Sequence, residues 1–279
     1  MEMPSAKLWI IATPIGNYGD LSPRARAILQ EADLILAEDT RRAGLLFSKT
    51  GITPGKILSF FEHNESERQA EALAALQEGK NVALITDAGT PLISDPGFRL
   101  ARECRNRNID VCPVPGPSAP IAALSAAGLP PVPFSFLGFL PRAASDRKKI
   151  LAAYSTTPGS IVFFERKSRL AESLGIALEI LGPREIAICR ELTKTHEEFI
   201  LGRLENFAQL TDGLLGELTI IIGPPEGQAR LPESETRKLL LQALASGLKP
   251  KQAVKVVKAS AQGWSTADLY DLIQSLRQL

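Results

Sequence analysis

The stretch Asp87-Ala88-Gly89-Thr90-Pro91-Leu92-Ile93-Ser94-Asp95-Pro96-Gly97 holds the residue types of this chain best suited to chemistry. Its glycines let backbone amides and carbonyls come close to a ligand, and Asp87, Thr90, Ser94 and Asp95 set carboxylate and hydroxyl groups beside them. Such a loop grips a small molecule largely through its backbone. A plainer reading is a long structural turn in which Asp95 caps the next helix and Pro96 begins it. Other chemistries lack their residues. The sequence has no G-x-x-x-x-G-K-[ST], no G-x-G-x-x-G and no G-x-S-x-G, so neither a phosphate cradle nor a nucleophile elbow is supported. His63 and His196 stand far apart, neither with a second histidine at ligand spacing, and no metal site is expected. Cys104, Cys112 and Cys189 form no Cys-x-x-Cys pair and read as small buried hydrophobes.

Ligands of open α/β sheets bind at the carboxyl ends of strands, and the surrounding pattern is of that class. Short β-branched runs alternate with longer helical periods, which predicts a mostly parallel sheet with helical crossovers throughout. In the first half, strands are expected over residues 8–12, 34–37, 82–86 and 109–114. Ser22-Pro23 opens one helix, residues 65–77 form a second, and a third carries Leu100, Ala101 and Cys104. Pro113-Val114-Pro115-Gly116-Pro117 is too rich in proline to lie inside an element, and it sets a domain boundary. In the second half, a helix over 119–127 and a basic helix near 147–153 accompany strands over 134–139, 160–164, 186–189, 199–201 and 218–222. Gly223-Pro224-Pro225-Glu226-Gly227 reads as a second linker. The expected organisation is an α/β domain over 1–115, another over 116–225, and a helical extension over 226–279. Its helices span 233–245, 251–261 and 266–276, the last two joined at Gly263 like a helix-turn-helix. That tail is somewhat basic, and reads equally as a helix-turn-helix or as a helical cap with solvated lysines.

The composition is that of an ordinary folded protein: 279 residues, 44% apolar, with 32 basic and 31 acidic side chains. No apolar run nears the roughly 20 residues that cross a bilayer. Residues 1–7 lack the features of a secretory signal, so a soluble, cytoplasmic protein without a membrane partner is expected. Binding to bare nucleic acid usually demands a marked basic excess, and a net charge of +1 does not supply it.

The loop does not stand alone. In chain order the sequence carries Ala12-Thr13-Pro14-Ile15-Gly16-Asn17, Ala37-Glu38-Asp39-Thr40-Arg41, His63-Asn64-Glu65, the 87–97 loop, Pro115-Gly116-Pro117-Ser118-Ala119, Gly138-Phe139-Leu140-Pro141 and Arg190-Glu191-Leu192-Thr193-Lys194. From Leu8 to Gly223 this series resembles the tetrapyrrole-methylase-like superfamily of S-adenosylmethionine enzymes, within it the ribosomal RNA small subunit methyltransferase I group, and the tail is similar too. The resemblance implies a homodimer of two-domain protomers with S-adenosylmethionine in the cleft between the domains. It also implies transfer to a cytidine 2'-hydroxyl in the decoding region of 16S ribosomal RNA. The implied cofactor contacts are Asp87, Ala88, Gly89, Thr90, Pro91, Ile93 and Ser94, then Pro117, Ser118 and Ala119, then Leu137, Gly138 and Phe139, and finally Phe164, Leu192, Leu218 and Thr219. One segment departs from the group's usual Phe-Tyr-Glu, Ser or Ala, Pro-His-Arg: here it is Phe163-Phe164-Glu165-Arg166-Lys167-Ser168-Arg169, which keeps the glutamate and the last arginine but not the Pro-His pair.

Methyl transfer from a sulfonium is an in-line displacement, so positioning is the main task. A ribose hydroxyl is weakly acidic, and a base within hydrogen-bond reach would assist. Glu165 and Glu191 are the first choices, with Asp39 and Lys194 behind them; a helix cap for Glu165 and an ion pair with Arg190 or Lys194 for Glu191 are the plainer readings. Because the sulfonium loses charge as the methyl leaves, backbone carbonyls rather than carboxylates are expected along the methyl path. Asn17, Arg24, Arg41, Arg42, Arg142, Arg166, Lys167, Arg169, Lys251 and Lys255 are expected RNA contacts, against the default of solvated side chains. The near-neutral charge favours an assembled small ribosomal subunit as partner, recognised by shape as well as charge. Two rivals stand beside this reading: a methylase of the same fold acting on a tetrapyrrole or on diphthine, and a non-catalytic S-adenosylmethionine-binding regulator or ribosome-associated scaffold.

Overall fold

The computed structural model describes residues 6–225, 231–261 and 263–277. Glu226 and Gly227 of the expected linker therefore lie outside the described residues. The chain divides into two compact units, Met1–Pro224 and Pro225–Leu279.

The first unit contains two five-stranded sheets. The first half runs β1 (Lys7–Ile11), α1 (Pro23–Glu31), β2 (Leu34–Ala37), α2 (Thr40–Thr50), β3 (Lys56–Ser59), α3 (Glu65–Gln77), β4 (Val82–Ile85), α4 (Phe98–Asn106) and β5 (Asp110–Val114). Its sheet is parallel in the order β3-β2-β4-β1-β5. The four residues of β2 and of β4 are all buried, as helices on both faces require. Alternate side chains serve opposite faces: Ile35, Ala83 and Ile85 pack with α1 and α2, while Leu34, Leu36, Val82 and Leu84 pack with α3 and α4. Ser22 caps α1 by accepting from the Ala25 amide at 3.1 Å, with Pro23 at the first helical position. Pro113 lies inside β5, contrary to the expectation that the proline-rich stretch is all loop. An edge strand paired only with β1 tolerates a missing donor on its free side.

The second half runs α5 (Ala119–Ala126), β6 (Phe134–Phe139), α6 (Ala144–Ala153), β7 (Ser160–Arg166), α7 (Lys167–Leu181), β8 (Glu185–Arg190), β9 (Glu198–Arg203), α8 (Phe207–Leu210) and β10 (Glu217–Ile222). Here the mostly parallel expectation fails. In the order β6-β7-β10-β8-β9 only β6 and β7 are parallel; every other pair is antiparallel. The connection between β8 and β9 is too short for a crossover, which needs a dozen or more residues, so the chain turns back as a hairpin. Arg147 of the basic helix is 1% exposed and turned inward. Cys104 and Cys189 are buried, but Cys112 on the edge strand is only partly so.

The second unit comprises α9 (Glu233–Ala245), α10 (Pro250–Lys258) and α11 (Thr266–Arg277). They enclose a core of their own, with Leu240, Val254, Val257, Trp264, Leu269 and Ile273 buried. The Trp264 indole donates to the Leu231 carbonyl at 2.8 Å, satisfying the one polar atom of a buried ring.

Candidate active site

A parallel sheet sends the carboxyl ends of β1, β2, β4 and β5 to one edge, and the loops leaving them are cross-tied. Thr13 and Gly89 exchange backbone hydrogen bonds of 2.9 and 3.0 Å, and the Thr13 hydroxyl donates to the Thr86 carbonyl at 3.1 Å. Thr90 donates to the Pro117 carbonyl at 3.1 Å, joining the loop after β4 to the segment after β5. Leu92 and Ser94 hold left-handed backbone, φ 72° and 73°. Such strain costs about 1–3 kcal/mol per residue, persists only where the surroundings enforce it, and clusters at functional sites.

The opposite wall comes from the second sheet. Because β10 runs antiparallel to β7 and β8, its first residues meet their last ones: Thr219 lies opposite Phe164, and Leu218 opposite Glu165 and Arg190. The Phe164 ring sits 5.0 Å from Phe136 and 5.3 Å from Phe139. Two close approaches bring the halves together. A Cβ on Gly16 would stand 2.5 Å from the Lys194 side chain and 2.8 Å from the Leu192 carbonyl, and one on Gly138 (φ 64°) would stand 2.8 Å from the Ser94 hydroxyl. Between the walls lies a cavity of about 480 Å³, within the size range of small-molecule sites.

Its lining is apolar at Ile15, Ile93, Phe139, Phe164, Leu192 and Leu218, and acidic at Glu38, Asp87 and Asp95. Glu38 accepts from the Thr86 hydroxyl at 2.7 Å. Asp87 accepts from the Asp39 amide at 3.1 Å and pairs with Arg42 at 3.4 Å. Burial first, and the Glu38 charge second, push Asp95 from 3.8 up to about 7, while the Thr86 hydroxyl pulls it back. The same two causes raise Asp87. A second cavity of about 230 Å³ shares Ile15, Glu38, Arg42, Thr86, Asp87 and Ala88 with the first and adds Asp39 and Lys194.

Of the expected cofactor contacts, Asp87, Ala88, Gly89, Thr90, Ile93, Ser94, Ser118, Ala119, Phe139, Phe164, Leu192, Leu218 and Thr219 line the first cavity. Pro91, Pro117, Leu137 and Gly138 are not among the lining residues; Pro117 and Gly138 touch Thr90 and Ser94 of that lining, and Leu137 packs into the core of the second half.

The four expected proton-transfer groups are all engaged. Glu165, with no exposed side-chain surface, lines the cavity but accepts from the Arg166 amide at 2.9 Å, Ser173 at 2.6 Å and Arg169 at 3.1 Å. Glu165 and Arg169, both of which keep the group's pattern, are thus paired with each other. Glu191 (φ 49°) is outside both cavities. The Glu217 amide, 2.7 Å away, and Lys194, 3.1 Å away, hold its carboxyl below the ordinary range. Asp39 caps α2 and is gripped by the Arg41 guanidinium at 2.6 and 3.0 Å, which drives its carboxyl far down. Lys194 bridges Glu191 and Glu217.

The expected RNA contacts scatter. Arg42, Arg166 and Lys167 line the first cavity, whereas Arg169 also donates to the Leu140 and Pro141 carbonyls at 2.8 Å. Arg24 lies over the Trp9 ring, and Asn17 caps the short turn at Tyr18–Asp20. Arg142, Lys251 and Lys255 are exposed. Glu38 escaped the sequence reading, although its place at the end of a buried strand was a usable signal. Asp95 was open to reading as a cap, yet α4 starts at Phe98 with Gly97 as its N-cap, and the Gly97 amide donates to Glu65 at 3.2 Å. That frees Asp95 to face the cavity.

A family model described as Tetrapyrrole (Corrin/Porphyrin) Methylases matches residues 7–208. The chain is 41% identical to a protein of Mycobacterium bovis over 99% of this chain and 98% of that one, and 45% identical to a protein of Thermotoga maritima over 79% of this chain and 99% of that one. Both relatives are named ribosomal RNA small subunit methyltransferase I. Among solved structures, uroporphyrin-III-C-methyltransferase from Thermus thermophilus shares the fold at a TM-score of 0.56 and 23% identity, over 78% of this chain and 94% of that one. With the family model covering the first sheet and every strand of the second but β10, and identities of this size over nearly whole relatives, the chain belongs to the tetrapyrrole methylase family, in its ribosomal RNA small subunit methyltransferase I branch, and is a methyltransferase.

Proposed function

We propose that this methyltransferase uses S-adenosylmethionine to methylate the 2'-hydroxyl of a cytidine in the decoding region of 16S ribosomal RNA. It would act in the cytoplasm, as a homodimer, on the assembled small subunit. The observation that carries the reading is the cavity of about 480 Å³ between the two sheets, in a chain whose relatives are named for ribosomal RNA methylation. The cavity suits such a donor: apolar side chains offer a surface to a purine, carboxylates suit an ammonium group, and the Arg42 guanidinium suits a carboxylate. The missing Cβ of Gly138 leaves room beside Ser94.

When bound, S-adenosylmethionine supplies an electrophilic methyl carbon on a sulfonium sulfur. The chain's own residues do the rest. In this reading Asp87, Ala88, Gly89, Thr90, Pro91, Ile93 and Ser94 hold the donor from one side. Leu137, Gly138, Phe139, Phe164, Leu192, Leu218 and Thr219 hold it from the other, and Pro117, Ser118 and Ala119 close the end. Glu165 forms part of the wall, and Glu191, outside both cavities, fixes Glu217 and Lys194 behind it. The acceptor nucleotide enters the smaller cavity, whose lining includes Asp39 and a Lys194 held by Glu191 and Glu217; the ribose hydroxyl passes its proton to water as its oxygen takes the methyl, and Asp39 holds Arg41 toward phosphate. Asn17, Arg24, Arg41, Arg42, Arg142, Arg166, Lys167 and Arg169 are assigned to RNA on the first unit. Holding donor and acceptor in line is the larger share of the rate enhancement.

The test is transfer from methyl-tritiated S-adenosylmethionine into small subunits, followed by nucleoside analysis. Label recovered as 2'-O-methylcytidine is the expected result. Label on a base, or transfer to a tetrapyrrole or a protein with none to RNA, overturns the assignment.

A further inference from the structure

The chain's net charge of +1 is unevenly shared: residues 1–224 sum to −2 and residues 225–279 to +3. The unit carrying the cavity is thus, on balance, repelled by phosphate, and the positive charge lies in the helical unit. Within that unit it is concentrated further. Helix α10 has the sequence PKQAVKVVK, without a carboxylate. At 100° per residue, Lys251, Lys255 and Lys258 fall within an arc of about 60°. Ala253, Val254 and Val257 point into the core. Lys251 and Lys255 are exposed, and no described carboxylate pairs with them; Lys258 instead donates to the Trp264 carbonyl.

The charge is placed differently from that of a groove-reading helix-turn-helix. There the second helix would enter a groove, but α11 carries Asp268 and Asp271 on its described side chains and presents no lysine. A stripe of unpaired lysines on the preceding helix matches a phosphate backbone, not base edges. The unit is also separable. It has its own core, and the Thermotoga maritima relative is matched almost end to end by a share of this chain no larger than Met1–Pro224, whereas the Mycobacterium bovis relative is matched along the full chain.

We propose that the helical unit is an accessory docking module that binds ribosomal RNA phosphates through the Lys251–Lys255 face of α10, raising the affinity of the enzyme for its substrate without taking part in donor binding or transfer. The proposal rests on the ribosomal RNA reading above.

The test uses the full chain with Lys251→Glu and Lys255→Glu together, leaving Lys258 in its structural bond. Initial rates of methyl transfer are measured on assembled small subunits and on naked small-subunit ribosomal RNA. The expected outcome is a KM for RNA raised about tenfold or more on both substrates, and a salt dependence of log KM shallower by roughly 1–2 units per decade. The rate constant at saturation, the calorimetric affinity for S-adenosylmethionine and the circular dichroism should stay unchanged. An unaltered KM overturns the proposal, as does loss of donor binding. A rise in KM on subunits alone, with naked RNA unaffected, would show that the face reads a ribosomal protein and would also overturn it. If the unsubstituted enzyme transfers no methyl to RNA at all, the function reading fails instead, so the two failures are distinguishable.

Discussion

At the scale of single residues, the division is between carboxylates that are locked and those that are not. Glu165 accepts three hydrogen bonds and has no exposed side-chain surface. Removing one partner of a buried pair leaves an uncompensated charge, so Glu165→Ala should cost about 3–5 kcal/mol in urea unfolding, and Glu165→Gln about 1–2 kcal/mol. Glu165→Gln should nonetheless retain the saturating rate of methyl transfer within about threefold, because its carboxylate is committed to Arg166, Ser173 and Arg169. A hundredfold loss of rate in a stably folded Gln variant would restore it as a base. Asp95 behaves in the opposite way. Folding raises its pKa from 3.8 to about 7. Its stabilising contribution is therefore complete below the unfolded value and is lost as pH rises through about 7. Asp95→Asn should stabilise the protein more near pH 8 than near pH 5, by about 1–2 kcal/mol after discounting for solvent screening. Melting temperatures that change equally at both pH values would show that Asp95 is not so perturbed.

At the scale of elements, the cavity depends on how closely β6 closes on the loop after β4. Gly138 combines left-handed backbone with a Cβ position 2.8 Å from Ser94, whereas Gly128 has similar backbone (φ 71°) and open space around it. Alanine at either position pays a backbone cost of roughly 1 kcal/mol. Gly138→Ala alone should also weaken calorimetric binding of S-adenosylmethionine, by about tenfold, since only there does the methyl push the wall inward. Equal loss in both variants would trace the effect to strain and not to the fit. The elements themselves were legible in unequal measure. The expected bounds of α9 and β2 match the observed ones, because a periodic run set between Pro232 and Gly247 and an all-apolar four-residue run are strong patterns. β3, with only Lys56–Ser59 and a partly exposed pattern, offers little signal. The antiparallel second sheet was missed because strand composition does not reveal direction; the short link between β8 and β9 was the clue that did. In the site, the glycines and hydroxyls of the 87–97 loop could be read from residue type. The left-handed backbone at Leu92 and Ser94, and the inward turn of Arg147, could not, since neighbours in space impose both.

At the scale of the whole molecule, the question is how an enzyme with almost no net charge finds a polyanion. Neutralising phosphates contributes to affinity in proportion to the cations engaged. Here many are already spoken for: Arg41 by Asp39, Arg169 by Glu165 and two carbonyls, Arg190 by Glu198, Lys194 by two glutamates. Charge alone would leave such a protein a weak binder of extended RNA at physiological salt. On the proposed function, shape must contribute the rest, and an assembled subunit presents its RNA in a fixed shape. On the proposed function, kcat/KM for assembled small subunits should therefore exceed that for naked 16S ribosomal RNA by at least about tenfold, and the ratio should widen as salt rises and the electrostatic share of binding is screened. Rate measurements over a salt series on the two substrates decide the matter. Equal rates at every salt concentration, or faster transfer to naked RNA, would mean that recognition is local to a few nucleotides and that the assembled particle is not the preferred partner.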